Sequence, residues 1–350
     1  MSKCFRVLSI DGGGIRGILP GQILVELEKK LQKYANDSKV RIADYFDFFS
    51  GTSTGGILTC LYLCPDSKNN NRPLYSAQDA VNLYLKNGNQ IFKRDLEQKI
   101  FSANGLLKEK YNGSIFEDLL KEYFKKLKLS ELLKPCLIPS YNIFQRDTHF
   151  FTQHDAKRTD SYDYYLYDVA RGTSAAPTYF EPARVTSISG VSYPVVDGGV
   201  FANNPALCAY AEVCEHFKEE NRSLTAADLF IVSIGTGSKK QSYDYDKAKG
   251  WGELGWVQPV MDIMMSGASE TIDFQLKKIF GSANKSENYY RISPDIGEAD
   301  TAMDNASSVN LNALKEAGIA SAEKYDKDLE EIAHFLVNKS EQLELYTVQR

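Results

Sequence analysis

No long hydrophobic run occurs in this sequence. The longest clear apolar stretch, residues 57–64, has eight residues and contains Thr59 and Tyr62, whereas a membrane-spanning helix needs roughly 20. The residues before Asp11 contain no apolar signal core either. The sequence therefore argues against a membrane-spanning or secreted protein, and we expect a cytoplasmic one.

Basic residues are not in excess. The chain has 41 lysines and arginines against 46 acidic residues, which gives a net charge of −5. Proteins that bind nucleic acid polymers usually carry a basic surplus, so no nucleic acid partner is expected. With 43% hydrophobic and 25% charged residues, the composition is that of a folded globular protein. Its 350 residues suffice for one large domain or two small ones.

The sequence also lacks the spacings typical of disulfide and metal sites. Its six cysteines include no C-x-x-C pair, and a chain of this size does not depend on disulfides for its core, so free thiols are expected. No ligand cluster has zinc-finger or EF-hand spacing. We therefore expect neither a metal ion nor a cofactor.

Strand-like and helical apolar patterns alternate along the chain. The spacing of apolar residues predicts helices after several strands, across most of residues 77–133 and beyond residue 250. This alternation predicts a three-layer α/β/α fold with a mostly parallel central sheet. The predicted strands are residues 5–10, 45–49, 136–143, 148–152, 193–196 and 229–234.

One glycine-marked turn presents a serine. Gly51 and Gly55 flank Ser53 between a predicted strand and a predicted helix. In such a sharp turn, small neighbours let the backbone lift the serine hydroxyl out of the sheet. The serine then lies at a helix N-terminus, where developing negative charge is favoured. Ser53 is therefore the candidate nucleophile, although the motif alone is short enough to occur by chance.

A glycine loop near the N-terminus admits two interpretations. Gly12, Gly14 and Gly17 match G-x-G-x-x-G between a strand and a helix, which is the fingerprint of a dinucleotide-binding loop. Against that reading, Asp11 would face bound phosphate, and no acidic residue ends the next strand. The alternative is an oxyanion hole, in which glycine N–H groups point at the oxygen of a tetrahedral intermediate. The pattern favours the oxyanion hole and leaves the dinucleotide site open.

A third glycine-marked turn supplies an acid. Asp197 precedes Gly198 and Gly199. Asp-Gly is a common turn former, but beside a serine nucleophile this carboxylate could act as the base. Histidine is scarce, because the chain has only four, and none follows the acid in a glycine-marked loop. A Ser53–Asp197 dyad is therefore the simplest prediction.

Together these motifs resemble those of the patatin-like phospholipases. The resemblance rests on Asp-Gly-Gly-Gly-Ile-Arg-Gly at 11–17, Gly-Thr-Ser-Thr-Gly at 51–55 and Asp-Gly-Gly at 197–199. It also covers the segments at 170–180 and 200–205, runs from about residue 5 to 240 and fades after roughly residue 250. Residues 1–240 are thus expected to form a patatin-like catalytic domain. Residues 241–350 are expected to form a mostly helical region packed on the same domain.

The resemblance implies lipid acyl hydrolase activity, with Ser53 as nucleophile and Asp197 as its proton acceptor. The resemblance also implies that Gly12, Gly13 and Gly14 supply the oxyanion hole and that Arg16 helps to orient this loop. The expected substrate is a phospholipid or lysophospholipid at a membrane surface, and the oligomeric state stays open. Two alternatives remain. One is a bacterial effector phospholipase switched on by a nucleotide or another small-molecule activator, and the other is a storage or scaffold protein with little turnover.

A helix predicted around residues 115–133 bears on membrane contact. It combines aromatic and leucine residues with Lys121, Lys125, Lys126 and Lys128, a combination suited to an anionic surface. The same pattern also fits an ordinary helix that packs on the core with solvated lysines. Peripheral membrane association is a hypothesis at this point.

Overall fold

Eight strands form the central sheet of the computed structural model, which describes residues 4–92, 111–219, 222–237 and 242–348. Strands β1 to β12 are, in chain order, Phe5–Ile10, Phe48–Gly51, Pro65–Asp66, Asn69–Pro73, Cys136–Asn142, Asp147–Thr152, Ala183–Thr186, Ser192–Asp197, Lys218–Glu219, Arg222–Ser223, Leu229–Ile234 and Tyr289–Ile292. Helices α1 to α13 of the described residues are Ile18–Ala35, Ile42–Tyr45, Thr54–Leu63, Ala77–Ile91, Gly113–Phe124, Gln153–Ala156, Leu166–Thr173, Gly199–Ala202, Ala206–His216, Tyr245–Lys249, Glu253–Ser282, Ser308–Lys324 and Asp326–Val348.

The sheet runs in the order β12-β11-β1-β2-β5-β8-β7, with β6 beside β5. Strands β12, β11, β1, β2 and β5 are parallel to one another. Strand β5 pairs antiparallel with β6 and β8, and β8 pairs antiparallel with β7. The short pairs β3–β4 and β9–β10 lie outside this sheet. The prediction of an α/β fold with a mostly parallel central sheet is confirmed.

Alternate side chains of the sheet enter two separate hydrophobic clusters. Leu8 and Ile10 of β1 belong to the larger cluster, which includes α1, α3, α4, α12 and α13. Val7 belongs to the smaller cluster, which includes α9 and α11. Because successive residues of a strand point to opposite faces of its sheet, the clusters lie on opposite faces. The result is three layers, with helices on both sides of the sheet.

Helix α5 turns its apolar residues inward. Phe116, Leu120 and Phe124 are buried in the larger cluster, while Lys121 and Lys125 are exposed. This arrangement agrees with the core-packing interpretation of the lysine-rich segment, because its apolar side chains are not available to a membrane. Within the described residues, no helix has both the length and the apolar character needed to cross a bilayer.

Residues after 240 contribute both to the sheet and to the core. Strand β12 pairs in parallel with β11, with Tyr289 opposite Ile231, although the sequence pattern predicted mainly helices in this region. Helices α12 and α13 pack on α1, and Leu314 and Leu336 are fully buried there. The last hundred residues therefore supply β12, the edge strand on the side of the sheet that is nearer to the N-terminal glycine loop.

Candidate active site

Ser53 lies in a strained turn between β2 and α3. Its backbone has φ 55° and ψ −121°, a conformation that residues with a side chain rarely adopt. A Cβ atom on Gly51 would lie 2.1 Å from the carbonyl oxygen of Gly55. A Cβ atom on Gly55 would lie 2.2 Å from the carbonyl oxygen of Ile10. The turn can close only because both flanking positions are glycine.

Asp197 ends β8 and is buried beside the serine. The Gly199 N–H donates to its Oδ1 atom at 2.7 Å, and the Ser53 hydroxyl lies close enough to influence the carboxyl. Burial raises the pKa of Asp197 to about 6, although the hydrogen bond from Gly199 and the nearby Ser53 hydroxyl act in the opposite direction. A Cβ atom on Gly198 would lie 2.4 Å from the Pro139 carbonyl oxygen, so the turn after the acid also requires glycine.

One short segment at the end of α7 holds the backbones of both residues. The Ser53 N–H donates to the Thr173 hydroxyl oxygen at 3.0 Å, and that hydroxyl donates to the Pro139 carbonyl at 2.6 Å. The Asp197 N–H donates to the Ala175 carbonyl at 3.0 Å. Residues 173–175 therefore fix the position of the serine relative to the aspartate.

The glycine loop after β1 lies directly against the serine. A Cβ atom on Gly12 would lie 3.4 Å from the Ser53 Cβ atom. The Gly12 N–H already donates to the Asn203 carbonyl at 2.9 Å. Within the part of the chain that the structure describes, the N–H groups of Gly13 and Gly14 have no hydrogen-bond partner. The expectation that all three glycines serve as oxyanion donors therefore needs correction, because the Gly12 donor is occupied and only two donors are free.

Two side chains fix the direction of these free N–H groups. The Thr236 hydroxyl donates to the Gly12 carbonyl at 2.6 Å, and Arg16 Nε donates to the Gly13 carbonyl at 3.3 Å. In a trans peptide the N–H of the next residue points away from the carbonyl. Holding these two carbonyls therefore sets the directions of the Gly13 and Gly14 N–H groups. The orienting role expected for Arg16 fits this geometry, while Thr236 was not predicted.

The loop also depends on close approach by its neighbours. A Cβ atom on Gly13 would lie 2.2 Å from Thr236 Oγ1, and one on Gly17 would lie 2.1 Å from Thr54 Oγ1. Gly14 has a φ of 59°, and a Cβ atom there would lie 2.3 Å from the Met303 carbonyl oxygen. The requirement for glycine thus follows from packing and from the backbone conformation.

An ion pair anchors the start of the loop to the last strand. Arg291 Nη1 donates to Asp11 Oδ1 at 2.8 Å, and Nη2 donates to Oδ2 at 2.6 Å. Arg291 Nη1 also donates to the Ser233 hydroxyl at 2.8 Å. Burial alone would lower the pKa of Arg291, but the Asp11 carboxylate outweighs it and the pKa lies above its usual value. The loop is thereby tied to β11 and β12.

Two cavities meet at the glycine loop. An apolar channel reaches Ser53 and Asp197, and a polar cavity of about 630 Å³ borders Asp11, Arg16 and Arg291. Both cavities share Tyr179, Met265 and Met303 in their walls. Apolar side chains lining the channel include Ile57, Ile91, Phe92, Phe116, Phe180 and Met261. The serine and the aspartate therefore face an apolar space of about 70 Å³.

None of the four histidines lines the channel. His149 is enclosed, and burial lowers its pKa to about 4. His154 and His216 lie together next to Glu212, and His334 is exposed on α13. The Ser53–Asp197 arrangement therefore includes no imidazole base among the residues around it.

The fold and the site define an α/β protein with a buried serine–aspartate pair beside a glycine loop. The patatin-like phospholipase family model matches residues 8–210. Patatin-like protein 3 of Arabidopsis thaliana is 34% identical over 91% of this chain and 80% of its own length. The chain belongs to the patatin-like phospholipase family.

One more relative and one solved structure are also similar to this chain. "Probable inactive patatin-3-Kuras 1" of Solanum tuberosum is 32% identical over 91% of this chain and 86% of its own length. Among solved structures, VipD of Legionella pneumophila aligns with 95% of this chain and 67% of its own chain, at 14% identity and a TM-score of 0.41. The first of these names shows that similarity at this level extends to a protein described as inactive, so activity has to be argued from the site itself.

Proposed function

We propose that this chain is a serine acyl hydrolase that cleaves ester bonds of lipids, with Ser53 as nucleophile and Asp197 as base. The observation that carries the proposal is the proximity of Ser53 and Asp197, which line the same apolar channel. Gly13 and Gly14, whose N–H groups have no partner among the described residues, line the same channel. Nucleophile, base and oxyanion donors are thus all present in one place.

In the first half of the proposed reaction, Ser53 Oγ attacks the ester carbonyl carbon while Asp197 takes the hydroxyl proton. The carbonyl oxygen becomes an oxyanion that accepts hydrogen bonds from Gly13 and Gly14. When the tetrahedral intermediate collapses, the C–O bond to the leaving alcohol breaks. Asp197 returns its proton to that alcohol, and an acyl-serine ester remains.

In the second half, Asp197 takes a proton from a water molecule as the water attacks the acyl-serine carbonyl. The same two N–H groups hold the second oxyanion. Its collapse releases the fatty acid, and the proton returns to Ser53 Oγ. A base is more effective when its pKa approaches the working pH, so the raised pKa of Asp197 suits this role better than an exposed carboxyl would.

The lining of the channel supports a lipid substrate of the phospholipid or lysophospholipid class. Aliphatic, aromatic and methionine side chains surround the route to Ser53, and they would bury an acyl chain with a favourable free energy of roughly 25 cal/mol per Å². The polar cavity on the other side of the glycine loop lies next to this route. An amphipathic substrate would thus find an apolar and a polar environment side by side.

The test is labelling with a fluorophosphonate probe, which reacts with activated serines, followed by analysis of lipid products. We expect labelling of the wild type, no labelling of Ser53→Ala, and release of free fatty acid from phospholipid micelles by the wild type only. Asp197→Asn should be folded and inactive. A Ser53→Ala variant that keeps most of the activity would contradict the assignment. A folded wild type that neither labels nor turns over any lipid ester would favour the scaffold alternative.

A surface on helix α11, rather than α5, is proposed as the contact with the lipid interface. Trp256, Val260 and Ile263 are exposed on the outer side of α11, while Met261 and Met265 of the same helix line the channel. An exposed apolar face continuous with the channel would bring the substrate interface to Ser53. Because this contact is mainly apolar, it should depend only weakly on anionic lipid.

Sedimentation with liposomes tests this interface. We expect Trp256→Ser combined with Ile263→Ser to lower the fraction bound to phosphatidylcholine vesicles, with hydrolysis of a soluble ester unchanged. Phe274→Ser is the matched control, since Phe274 is exposed on the same helix about three turns farther along. Equal binding by the double variant and the control would contradict the proposal.

A further inference from the structure

Three potential metal ligands meet far from the catalytic channel. His154 lies in α6, directly after β6, and Glu212 and His216 lie one turn apart in the last part of α9. The His154 ring packs near Phe48, the first residue of β2, with ring centroids 6.4 Å apart. Ser53 follows the other end of β2. The cluster therefore lies near the N-terminal end of β2, whereas Ser53 lies just beyond its C-terminal end.

The geometry of this cluster is already close to that of a metal site. His154 Nε2 and Glu212 Oε1 are 2.8 Å apart, and His216 Nδ1 and Glu212 Oε1 are 3.2 Å apart. One ligand atom from each of the three side chains lies within 4.8 Å of the other two. Neighbouring ligands of a tetrahedral zinc ion are about 3.3 Å apart, given zinc–ligand distances near 2.0 Å. Small side-chain movements would place all three around one ion.

The atoms that face one another are also of the types that coordinate zinc. His154 Nδ1 is enclosed and has no hydrogen-bond partner, which leaves Nε2 as the atom available for coordination. Two imidazole nitrogens and one carboxylate are a ligand set that zinc accepts. Asp155 adds a second carboxylate, 3.8 Å from His154 Nε2. With neutral imidazoles, the two carboxylates would balance the charge of a divalent cation.

We propose that His154, Glu212 and His216 bind a Zn²⁺ ion, with a water molecule in the remaining position. The His216 side chain is 28% exposed, against 11% for His154, so the ion would enter from the solvent at the end of α9. The bound ion would join the segment after β6 to α9, two parts of the fold that are 58 residues apart in the chain. This separation explains why no sequence spacing indicated a metal site.

The proposal is independent of the hydrolase function, because the cluster contains none of the residues placed in the catalytic site. Its test uses full-length protein treated with a chelator, then titrated with ZnCl₂ by calorimetry and melted with and without the metal. We expect saturable binding of one ion per chain. We also expect a rise in Tm of about 5 °C when free Zn²⁺ is a hundredfold above Kd. Co²⁺ in place of Zn²⁺ should give a visible absorption spectrum typical of low coordination number.

Variants separate this site from other metal-binding side chains. Glu212→Gln keeps the size of the side chain and should lower the affinity at least about 10-fold, as should His216→Ala. His334→Ala removes an exposed histidine elsewhere, and Cys208→Ser removes the thiol one turn before Glu212 on α9, so both should bind like the wild type. Circular dichroism establishes that each variant is folded.

Three outcomes would overturn the proposal. If the folded wild type takes up no Zn²⁺, the cluster is only a hydrogen-bonded group in which Glu212 serves two imidazoles. If the Glu212→Gln and His216→Ala variants both bind as tightly as the wild type, the ion is held elsewhere. A loss of binding in Cys208→Ser alone would also contradict the assignment, since it would make the thiol the ligand.

Discussion

The carboxylate of Asp11 and the guanidinium of Arg291 form a two-point ion pair that joins the glycine loop to strand β12. Both side chains are almost completely buried. Arg291 lies outside the residues matched by the family model, which end at 210. The position of a loop that carries a family motif therefore depends on a residue from the C-terminal region.

Removing one partner of this pair should destabilise the protein strongly. We expect Arg291→Gln to lower the free energy of unfolding by about 3–5 kcal/mol, because it leaves the Asp11 carboxylate buried and unpaired. Urea unfolding measures the change. The control is Lys327→Gln, which removes an exposed ion pair with Glu331 and should change stability very little. Equal stability of the two variants would show that the buried pair is not an anchor.

The rate of ester hydrolysis should rise with pH through the pKa of Asp197. Burial raises this pKa to about 6, and only the ionised carboxylate can accept the serine proton. We therefore expect kcat/KM for a soluble ester to be half-maximal near pH 6 and level above about pH 7. A pH–rate profile measures this directly. Half-maximal activity near pH 4 would mean that the base is a carboxyl in an ordinary, solvated environment.

Asp197→Asn should stabilise the protein at neutral pH while removing activity. A folded-state pKa near 6 against 3.8 in the unfolded chain means that the folded protein loses stability as pH rises between these values. Above pH 6 the penalty reaches about 3 kcal/mol. We expect the variant to gain up to that amount at pH 8, measured by thermal melting. Below about pH 4 the gain should vanish, and a gain that persists there would have another cause.

Thr236 should affect turnover through the glycine loop. Its hydroxyl holds the Gly12 carbonyl, so Thr236→Val leaves that carbonyl unpaired and the Gly13 N–H free to turn. We expect kcat to fall about 10-fold with little change in KM, because the lost interaction acts mainly on the oxyanion. Thr236→Ser keeps the hydroxyl and should restore most of kcat. A serine variant as slow as the valine variant would point to packing of the methyl group instead.

Features encoded in short segments were the ones that sequence reasoning could predict. The turn around Ser53 needs glycine at 51 and 55 because backbone atoms approach closely there, and that need is visible as a motif. The strands at 5–10 and 229–234 are continuous apolar runs, and the structure places them at those positions. Ser53 and Asp197 line the same channel, and the motif that carries each of them was already visible in the sequence.

Features created by the packing of distant segments could not be predicted in the same way. Thr236 follows a strand that was predicted, but nothing in its neighbours indicates a bond to Gly12. The occupied Gly12 N–H depends on the Asn203 carbonyl, whose position follows from the turn after β8. Strand β12 is only four residues long, too short for a clear period among the surrounding helices. Each of these is fixed by tertiary contacts rather than by local pattern.

The short segment at residues 173–175 has a mechanical consequence. Because it holds the peptide groups of both Ser53 and Asp197, sliding of β8 relative to β2 would have to break one of these bonds before it separated hydroxyl and carboxylate. In the proposed reaction, the two groups that exchange the proton would therefore keep their relative position when the side chains around them rearrange. If the chain acts on acyl esters as proposed, differences between acyl chains would be met by the side chains that line the channel rather than by movement of Ser53 relative to Asp197.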